Sequence, residues 1–241
     1  MTIFQVLICA VICYIISGLI HELGHIVMGL MNGWKFYMLV IGPFEWKREK
    51  PNEKVRFFLE KNIMMWGGMG GSYPINTSKD NLKIWSKVLI AGPIASIIIG
   101  ITMIPIAIIT GNLFFSMLVF MPISMGIVSG FPLPLKTGFL YTDGGRWIRL
   151  KRGNQEAAEE KALFLITENS MINGENSLPD EEVIVPLLNS INPSIQYYGL
   201  YYHYMLSKSN DNQTDMNYAL TKMNELKTKV SKLIIDDCKI K

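Results

Sequence analysis

Residues 3–31 read IFQVLICAVICYIISGLIHELGHIVMGLM, and Glu22 is the only formally charged side chain among them. A stretch of about 20 apolar residues is long enough to cross the hydrocarbon core of a bilayer as a helix. A secretory signal peptide would have a basic start, a shorter apolar run and a small-residue cleavage site, which this stretch lacks. The sequence therefore predicts a first membrane-spanning helix over residues 3–31.

A second apolar block runs from Val88 to Leu135 without a charged residue. It is too long for one membrane span, and the Gly111-Asn112 pair within it is typical of a turn. We therefore expect two further spans, at about residues 84–110 and 113–131. Because 49% of the chain is hydrophobic and only 18% is charged, the predicted fold class is an α-helical polytopic membrane protein with a three-span core.

The rest of the chain has the composition of a polar tail. From about Arg146 onward, charged and polar residues occur at ordinary frequency. We predict a membrane-embedded core over residues 1–150 and a helical cytosolic tail over residues 151–241. Periodic patterns separated by Asn- and Ser-rich breaks predict tail helices from Arg146 through Gln155–Thr167, and then at Asp180–Ser190, Pro193–Ser207 and Thr214–Leu233.

The segment between the first two spans predicts a small β-like region at about residues 36–73. Phe36–Glu45 and Val55–Ile63 are rich in aromatic and aliphatic residues, and the charged stretch Lys47–Lys54 between them is typical of a hairpin loop. Four glycines within Gly67–Gly71 exclude a helix interior. They suit either a strand or loop that another backbone approaches closely or a flexible turn, and the sequence alone leaves both open.

The basic residues indicate how the spans are oriented, because they flank the cytosolic ends of membrane helices. The turn at Gly111-Asn112 has none, whereas many precede the second span and follow the third: Lys35, Lys47, Arg48, Lys50, Lys54, Arg56 and Lys61, then Arg146, Arg149, Lys151 and Arg152. We expect a multi-pass protein of the cell membrane with its N-terminus outside and its C-terminal tail in the cytosol. No basic stripe with interleaved aromatic residues suggests binding to nucleic acid.

His21 and His25 lie four residues apart in the first predicted span, with Glu22 beside them. On a helix this spacing points both imidazoles from one face, which suits two ligands of a tetrahedral zinc ion. Zinc lowers the pKa of a bound water toward about 7, and a neighbouring carboxylate can take the proton of that water and return it to a leaving amine. The pattern predicts a Zn²⁺ site with Glu22 as general base.

Chance occurrence of this short pattern is the alternative, and its setting argues against it. Charged residues at the centre of a span cost on the order of 2.5–3.5 kcal/mol each on insertion scales, so they normally pair or serve a function. The chain has three histidines, and two of them lie in this single turn. We therefore interpret the turn as functional.

A catalytic zinc normally has three protein ligands and one open position. Asp143 is an isolated acidic residue that follows closely on the third predicted span, and we predict it as the third ligand. Its alternative role is to cap a helix, because the glycines after it allow a sharp turn into a new helix. Glu45 is a weaker competitor for the third position, and His203, the remaining histidine, lies in the predicted tail.

At these residues the sequence resembles the site-2 protease family of intramembrane zinc metalloproteases. Three pieces match the family in its order: His21–His25 in the first span, Ala91-Gly92-Pro93 in the second, and Pro134 through Asp143-Gly144-Gly145 after the third. The resemblance covers about residues 15–150. No PDZ-like insertion is evident between the spans, so the chain looks like a minimal bacterial-type member with a tail of its own.

The resemblance implies that His21, His25 and Asp143 bind zinc and that Glu22 is the catalytic base. It also implies a three-span core whose active site lies toward the cytosolic face. The membrane-associated β-sheet of the family resembles the region before the second span. The Gly67–Gly71 edge of that sheet would then bind an unfolded substrate as an added strand.

Two positions depart from the family pattern. Family members often have asparagine where this chain has Ser96 and Phe131, and those asparagines are thought to steady the site and its substrate. The segment from Pro134 to Asp143 is also longer than in the best-known members, and it carries Lys136. These departures motivate the alternative of a non-catalytic membrane metal-binding or scaffold protein derived from the family.

The leading hypothesis is an intramembrane zinc endopeptidase. It would hydrolyse peptide bonds of a transmembrane or membrane-associated peptide through a zinc-activated water, with Glu22 as general base. A metal transporter would need further polar residues along the later spans, which the charge-free block from Val88 to Leu135 does not supply. The expected partners are the peptide substrate, the lipid bilayer and a protein that binds the cytosolic tail.

Overall fold

The computed structural model describes residues 2–48, 53–132, 141–174 and 177–238. They divide into two compact units, the first with the residues up to Pro132 together with Asp143–Trp147. The second unit contains Tyr141, Thr142 and the described residues from Ile148 onward. Pro134 and Lys136, which the sequence singled out, lie outside the described residues.

Three long helices form the apolar part of the first unit. Helix α1 is Ile3–Met31, α2 is Asn81–Thr110 and α3 is Leu113–Gly130. Each of the three packs against the other two, and they are the helices among the described residues that are long and apolar enough to cross a membrane. They correspond to the predicted spans, although α2 begins at Asn81 rather than at residue 84.

Local sequence explains where these helices begin and end. The Thr2 hydroxyl accepts a hydrogen bond from the backbone N–H of Gln5, whose side chain accepts one from the backbone of Thr2, which forms a capping box. Helix α2 ends at Gly111, whose φ of 56° is left-handed. The Asn112 side chain then accepts from the N–H of Phe114 and begins α3. The predicted turn at Gly111-Asn112 is therefore confirmed.

The segment between α1 and α2 forms a four-stranded antiparallel sheet in the order β3-β2-β1-β4. Strand β1 is Lys35–Ile41, β2 is Phe44–Lys47, β3 is Arg56–Leu59 and β4 is Met69–Tyr73. Strands β1 and β4 pack against α1. The predicted β-like region at residues 36–73 is therefore confirmed.

Two turn features of this region could not be assigned from composition. The stretch Phe36–Glu45 contains a tight turn, because Gly42 has a φ of 55° and Ile41 pairs with Phe44 across it. Gly70 and Gly71 of the glycine run belong to β4, which begins at Met69. Gly67 and Gly68 precede the strand in a turn, where Gly68 has a φ of 112° and its N–H donates to the carbonyl oxygen of Met65. The strand alternative is therefore correct for Gly70 and Gly71, and the turn alternative for Gly67 and Gly68.

Helices α4 (Asp143–Lys151) and α5 (Gln155–Asn173) follow the apolar helices. The prediction of one continuous helix from Arg146 through Thr167 is wrong. Gly153 has a φ of 68°, which ends the first helix because glycine adopts this conformation readily. The Asn154 side chain accepts from two backbone N–H groups and begins α5.

The second unit continues with α6 (Glu181–Leu188), α7 (Pro193–Ser209), α8 (Gln213–Leu226) and α9 (Lys232–Asp237). The predicted helices Asp180–Ser190 and Pro193–Ser207 correspond to α6 and α7. The predicted helix Thr214–Leu233 is wrong as one element, because Val230 is extended and the Ser231 side chain caps a new helix. Side chains from α5 to α9 form the apolar core of this unit.

A buried charge cluster joins the end of α4 to α5 within the second unit. The Arg149 guanidinium lies 2.5 Å from a Glu159 oxygen and 3.2 Å from a Glu160 oxygen. Its central carbon lies 4.2 Å from the centroid of the Tyr141 ring. Because buried charges are costly without partners, these contacts specify how the end of α4 packs on α5.

Candidate metal centre

Helix α1 carries two histidines on its buried side. His21 and His25 are only 6% and 7% exposed, and their rings meet edge to face with centroids 4.9 Å apart. The predicted i, i+4 arrangement is therefore present, and it faces α2 instead of the exposed side of α1.

Asp143, the first residue of α4, brings a carboxylate to this pair. Its Oδ2 atom lies 3.1 Å from Nε2 of His21 and 3.4 Å from Nε2 of His25. The two Nε2 atoms are 3.3 Å apart. Among the described residues, these three form the group of metal-ligating side chains that could hold an ion. The structure thus brings together all three predicted ligands, although Asp143 also lies at a helix start.

These separations fit a zinc ion. Zinc binds nitrogen and oxygen at about 2.0–2.1 Å in a tetrahedron, so two of its ligand atoms lie about 3.3–3.4 Å apart. The three separations of 3.1, 3.3 and 3.4 Å are close to these tetrahedral edges. Two histidines and one carboxylate leave the fourth corner open, as catalytic zinc sites require.

The opposite nitrogen of each imidazole contacts α2. The N–H at Nδ1 of His25 donates to the carbonyl oxygen of Val88 over 2.7 Å. Nδ1 of His21 lies 3.1 Å from the hydroxyl oxygen of Ser96. Sequence reasoning missed both contacts, because a backbone carbonyl has no sequence signal and Ser96 was noted only as a departure from a family pattern.

Two glycines give the histidine turn the space it occupies. A side chain at Gly92 would overlap the His25 imidazole. A Cβ atom at Gly24 would lie 2.7 Å from the carbonyl oxygen of Ala91, which is closer than real Cβ contacts. The Gly92-Pro93 pair therefore allows α2 to approach α1 at the level of the histidines.

The start of α4 is held close to the other helices of the first unit. A side chain at Gly144 would overlap the backbone of Gly130 at the end of α3. The guanidinium carbon of Arg146 lies 5.1 Å from the centroid of the Trp85 ring on α2. These two contacts place the first turn of α4, and with it Asp143, beside α1.

The histidines keep the Asp143 carboxyl in its ionised form. Burial raises the pKa of this carboxyl, but hydrogen bonds from His21 and His25 and the charges of their rings outweigh burial and hold the pKa below its usual range. Metals bind the deprotonated carboxylate. The pair thus favours the protonation state of Asp143 that a metal needs.

Glu22 lies beside the ligands and against the glycine strand. Its carboxylate accepts a hydrogen bond from the backbone N–H of Gly70. A Cβ atom at Gly68 would lie 3.2 Å from an oxygen of Glu22, and one at Gly70 would lie 2.7 Å from its Cβ. Gly70 in β4 and Gly68 just before the strand therefore allow the chain to approach α1 at Glu22, because neither carries a side chain.

The other residues considered from the sequence lie elsewhere. Glu45 is on β2, where it pairs with Val40 and Phe58. His203 is on α7 in the second unit, with its ring 6.4 Å from that of Tyr218. Neither belongs to the group of candidate metal ligands.

A comparison with known protein families places this chain. The model of peptidase family M50 matches residues 9–238, which is nearly the whole chain, and no PDZ domain was found. No curated protein and no solved structure matched the chain.

Proposed function

This chain belongs to peptidase family M50, the site-2 protease family of membrane metalloproteases, and on that premise we propose that it is an intramembrane zinc endopeptidase. The observation that carries the proposal is the convergence of His21, His25 and Asp143 at tetrahedral spacing. A chain that only kept the fold would not need to keep these three atoms within reach of one another and of Glu22.

The residues of the centre have distinct roles in this proposal. His21, His25 and Asp143 hold the zinc ion. When bound, zinc supplies Lewis acidity, which polarises a carbonyl group and makes water a better nucleophile at neutral pH. Glu22 takes a proton from the attacking water and delivers it to the amide nitrogen as the carbon–nitrogen bond breaks. The Gly70 N–H orients the Glu22 carboxylate for both transfers.

The proposed substrate is a transmembrane or membrane-associated peptide. The histidines and Glu22 lie on α1, an apolar helix long enough to cross a membrane. A helical substrate hides its amide groups in its own hydrogen bonds, so it must unwind locally before attack. Strand β4 is the last strand in the sheet order and lies against Glu22. An unwound segment added at this edge would therefore run past the general base.

The proposed topology follows the basic residues. Residues 1–150 form a three-span core in the cell membrane, with the N-terminus outside. The segment between α1 and α2, which forms the sheet, lies in the cytosol. The helical tail, residues 151–241, also lies in the cytosol, where it is available to a protein partner. The short turn at Gly111-Asn112 then lies outside, consistent with its lack of basic residues.

Replacement of Glu22 by Gln tests the proposal. The chain and tagged single-span membrane peptides encoded by neighbouring genes are produced together, and peptide cleavage is followed by immunoblotting. We expect Glu22→Gln to abolish cleavage, because the amide cannot take the proton, while zinc content measured on the purified chain stays at one ion per chain. His21→Ala and Asp143→Ala should lose zinc.

Glu45→Gln is the matched control, since it makes the same change on β2 outside the candidate ligand group, and it should cleave like wild type. Cleavage by Glu22→Gln at the wild-type rate would contradict the protease role. Zinc-free wild-type protein, with no effect of His21→Ala or Asp143→Ala, would favour the scaffold alternative.

A further inference from the structure

Ser96 is a buried polar residue on α2 that faces the histidine turn of α1. Its side chain is fully buried, and its hydroxyl oxygen lies 3.1 Å from Nδ1 of His21. Helix α3 closes over it, because a Cβ atom at Gly126 would lie 3.2 Å from the Ser96 Cβ. Nδ1 of His21 therefore meets a hydroxyl group in a packed interior, where water does not readily take its place.

The direction of this hydrogen bond follows from the other ring nitrogen. Nε2 of His21 points to Asp143 and to Nε2 of His25. A nitrogen that binds a metal must present its lone pair, so the ring proton must then be on Nδ1. The Nδ1–H group donates to Ser96, just as that of His25 donates to the carbonyl of Val88.

We propose that Ser96 is a positioning residue of the metal centre, which holds His21 in the tautomer and ring orientation that metal binding requires. The inference rests on the proposed zinc centre and adds to it a residue that touches neither the metal nor the substrate. Ser96 thus acts on the proposed metal ligand, whereas the sequence marked it only as a departure from the family pattern.

The test is zinc affinity of the full-length chain in detergent micelles, measured by competition with a chromophoric chelator. Ser96→Ala removes only the hydroxyl oxygen and leaves a buried N–H group without an acceptor. We expect zinc to bind about 10- to 100-fold more weakly, as is typical when the orienting partner of a ligand is lost. The absorption bands of bound Co²⁺ should also change, because they report ligand orientation.

Ser17→Ala is the matched control. Ser17 is also fully buried and lies one turn before His21 on α1, but its hydroxyl donates to the carbonyl of Cys13 over 2.7 Å. This variant removes the same atom from the same helix bundle without touching His21. Its zinc affinity and Co²⁺ spectrum should match those of wild type. Ser96→Thr keeps the oxygen and should restore most of the affinity.

Each remaining outcome overturns the inference. Zinc affinity of Ser96→Ala within about twofold of wild type would show that His21 does not depend on the hydroxyl. An equal loss in Ser96→Ala and Ser17→Ala would assign the effect to general packing. A wild-type chain without zinc affinity would overturn the proposed metal centre itself. This outcome is distinct from a failure of the Ser96 inference, because it is observed without any variant.

Discussion

At the scale of single residues, the candidate centre depends as much on small residues as on ligands. Each histidine has a contact at both ring nitrogens. Nε2 lies near the Asp143 carboxylate, and Nδ1 contacts a group on α2. Gly92 is part of this arrangement, because only hydrogen at its Cα leaves room for the His25 ring. The position of the His25 ring thus depends on the glycine beside it as well as on its hydrogen bonds.

Replacement of Gly92 by Ala tests this steric role. The added methyl group overlaps the His25 imidazole, so the ring must turn away from Asp143. Overpacking of this kind costs about 1–3 kcal/mol, which corresponds to about a 5- to 150-fold loss of zinc affinity if it falls on the bound geometry. Zinc titration of the purified chain measures the loss.

Gly130→Ala is the control for this variant, because among the described residues a Cβ atom at Gly130 meets the Pro93 side chain at an ordinary 3.8 Å. It should bind zinc as wild type does. If Gly92→Ala also bound zinc with wild-type affinity, His25 would not be held by close packing against α2.

At the scale of elements, α1 contacts both α2 and β4 within one helical turn. One side carries the histidines toward α2, and Glu22 meets β4. Gly70 allows β4 to lie directly on the helix, because a side chain there would meet Glu22. This contact gives Glu22 a backbone hydrogen-bond donor and brings the outer strand of the sheet to the proposed general base.

The glycines of β4 differ in what they contact, which allows a paired prediction. In Gly70→Ala, the new Cβ would lie 2.7 Å from the Glu22 Cβ and 2.9 Å from its carbonyl oxygen. Either β4 or Glu22 must move. Misplacement of a catalytic group by about 1 Å can reduce the rate on the order of 100-fold, so peptide cleavage should fall to that extent while zinc content is unchanged.

The neighbouring change Gly71→Ala places its Cβ 3.8 Å from the Tyr37 ring, an ordinary contact. It should cleave at close to the wild-type rate in the same assay. Equal activity of the two variants would mean that the approach of β4 to Glu22 does not matter for catalysis.

At the scale of the whole molecule, the chain consists of two units with different physical foundations. The first unit is built on long apolar helices around the candidate metal centre. The second has its own apolar core, contributed by α5 to α9, and the buried cluster around Arg149. Removal of a bound metal should therefore lower the stability of the first unit. Ionisation of buried side chains in the core of the second unit should lower the stability of the second unit.

Alkaline pH provides such a treatment for the second unit. Burial raises the pKa of Cys238 from an ordinary value of 9.0 to about 12 and raises that of Tyr202 to about 12. Because these pKa values are raised in the folded state, the stability they contribute is complete below about pH 9. It is lost as the pH rises from 9 toward 12, since the unfolded chain loses these protons first.

Thiol alkylation tests the raised pKa of Cys238 in a full-length chain that carries Cys9→Ala and Cys13→Ala. At pH 8 the folded Cys238 should react slowly. A pKa of about 12 instead of 9.0 lowers its thiolate fraction on the order of 1,000-fold relative to an ordinary thiol. A chain with Cys238→Ala and Ser209→Cys, whose thiol is exposed at the end of α7, calibrates the reagent. Equal rates at pH 8 would contradict the burial of Cys238.

Several features were predictable because they depend on local physical chemistry. The length and charge of residues 3–31 determined a membrane-length helix, and the i, i+4 spacing put His21 and His25 on one face of it. The cost of polar groups in lipid marked that turn as a candidate site. Asp143 was predictable as a candidate ligand from its isolation in the sequence, and the small sheet was predictable from composition.

The tertiary structure alone decided which groups meet these residues. His21 and Asp143 are 122 positions apart, and the contacts of Ser96, Val88 and Gly92 with the histidines depend on how closely α2 packs on α1. The breaks near Gly153 and Val230 likewise depend on backbone conformations that periodicity does not reveal. Spacing and hydrophobicity specify each helix locally, whereas side-chain shape across the helix interfaces determines the contacts between helices.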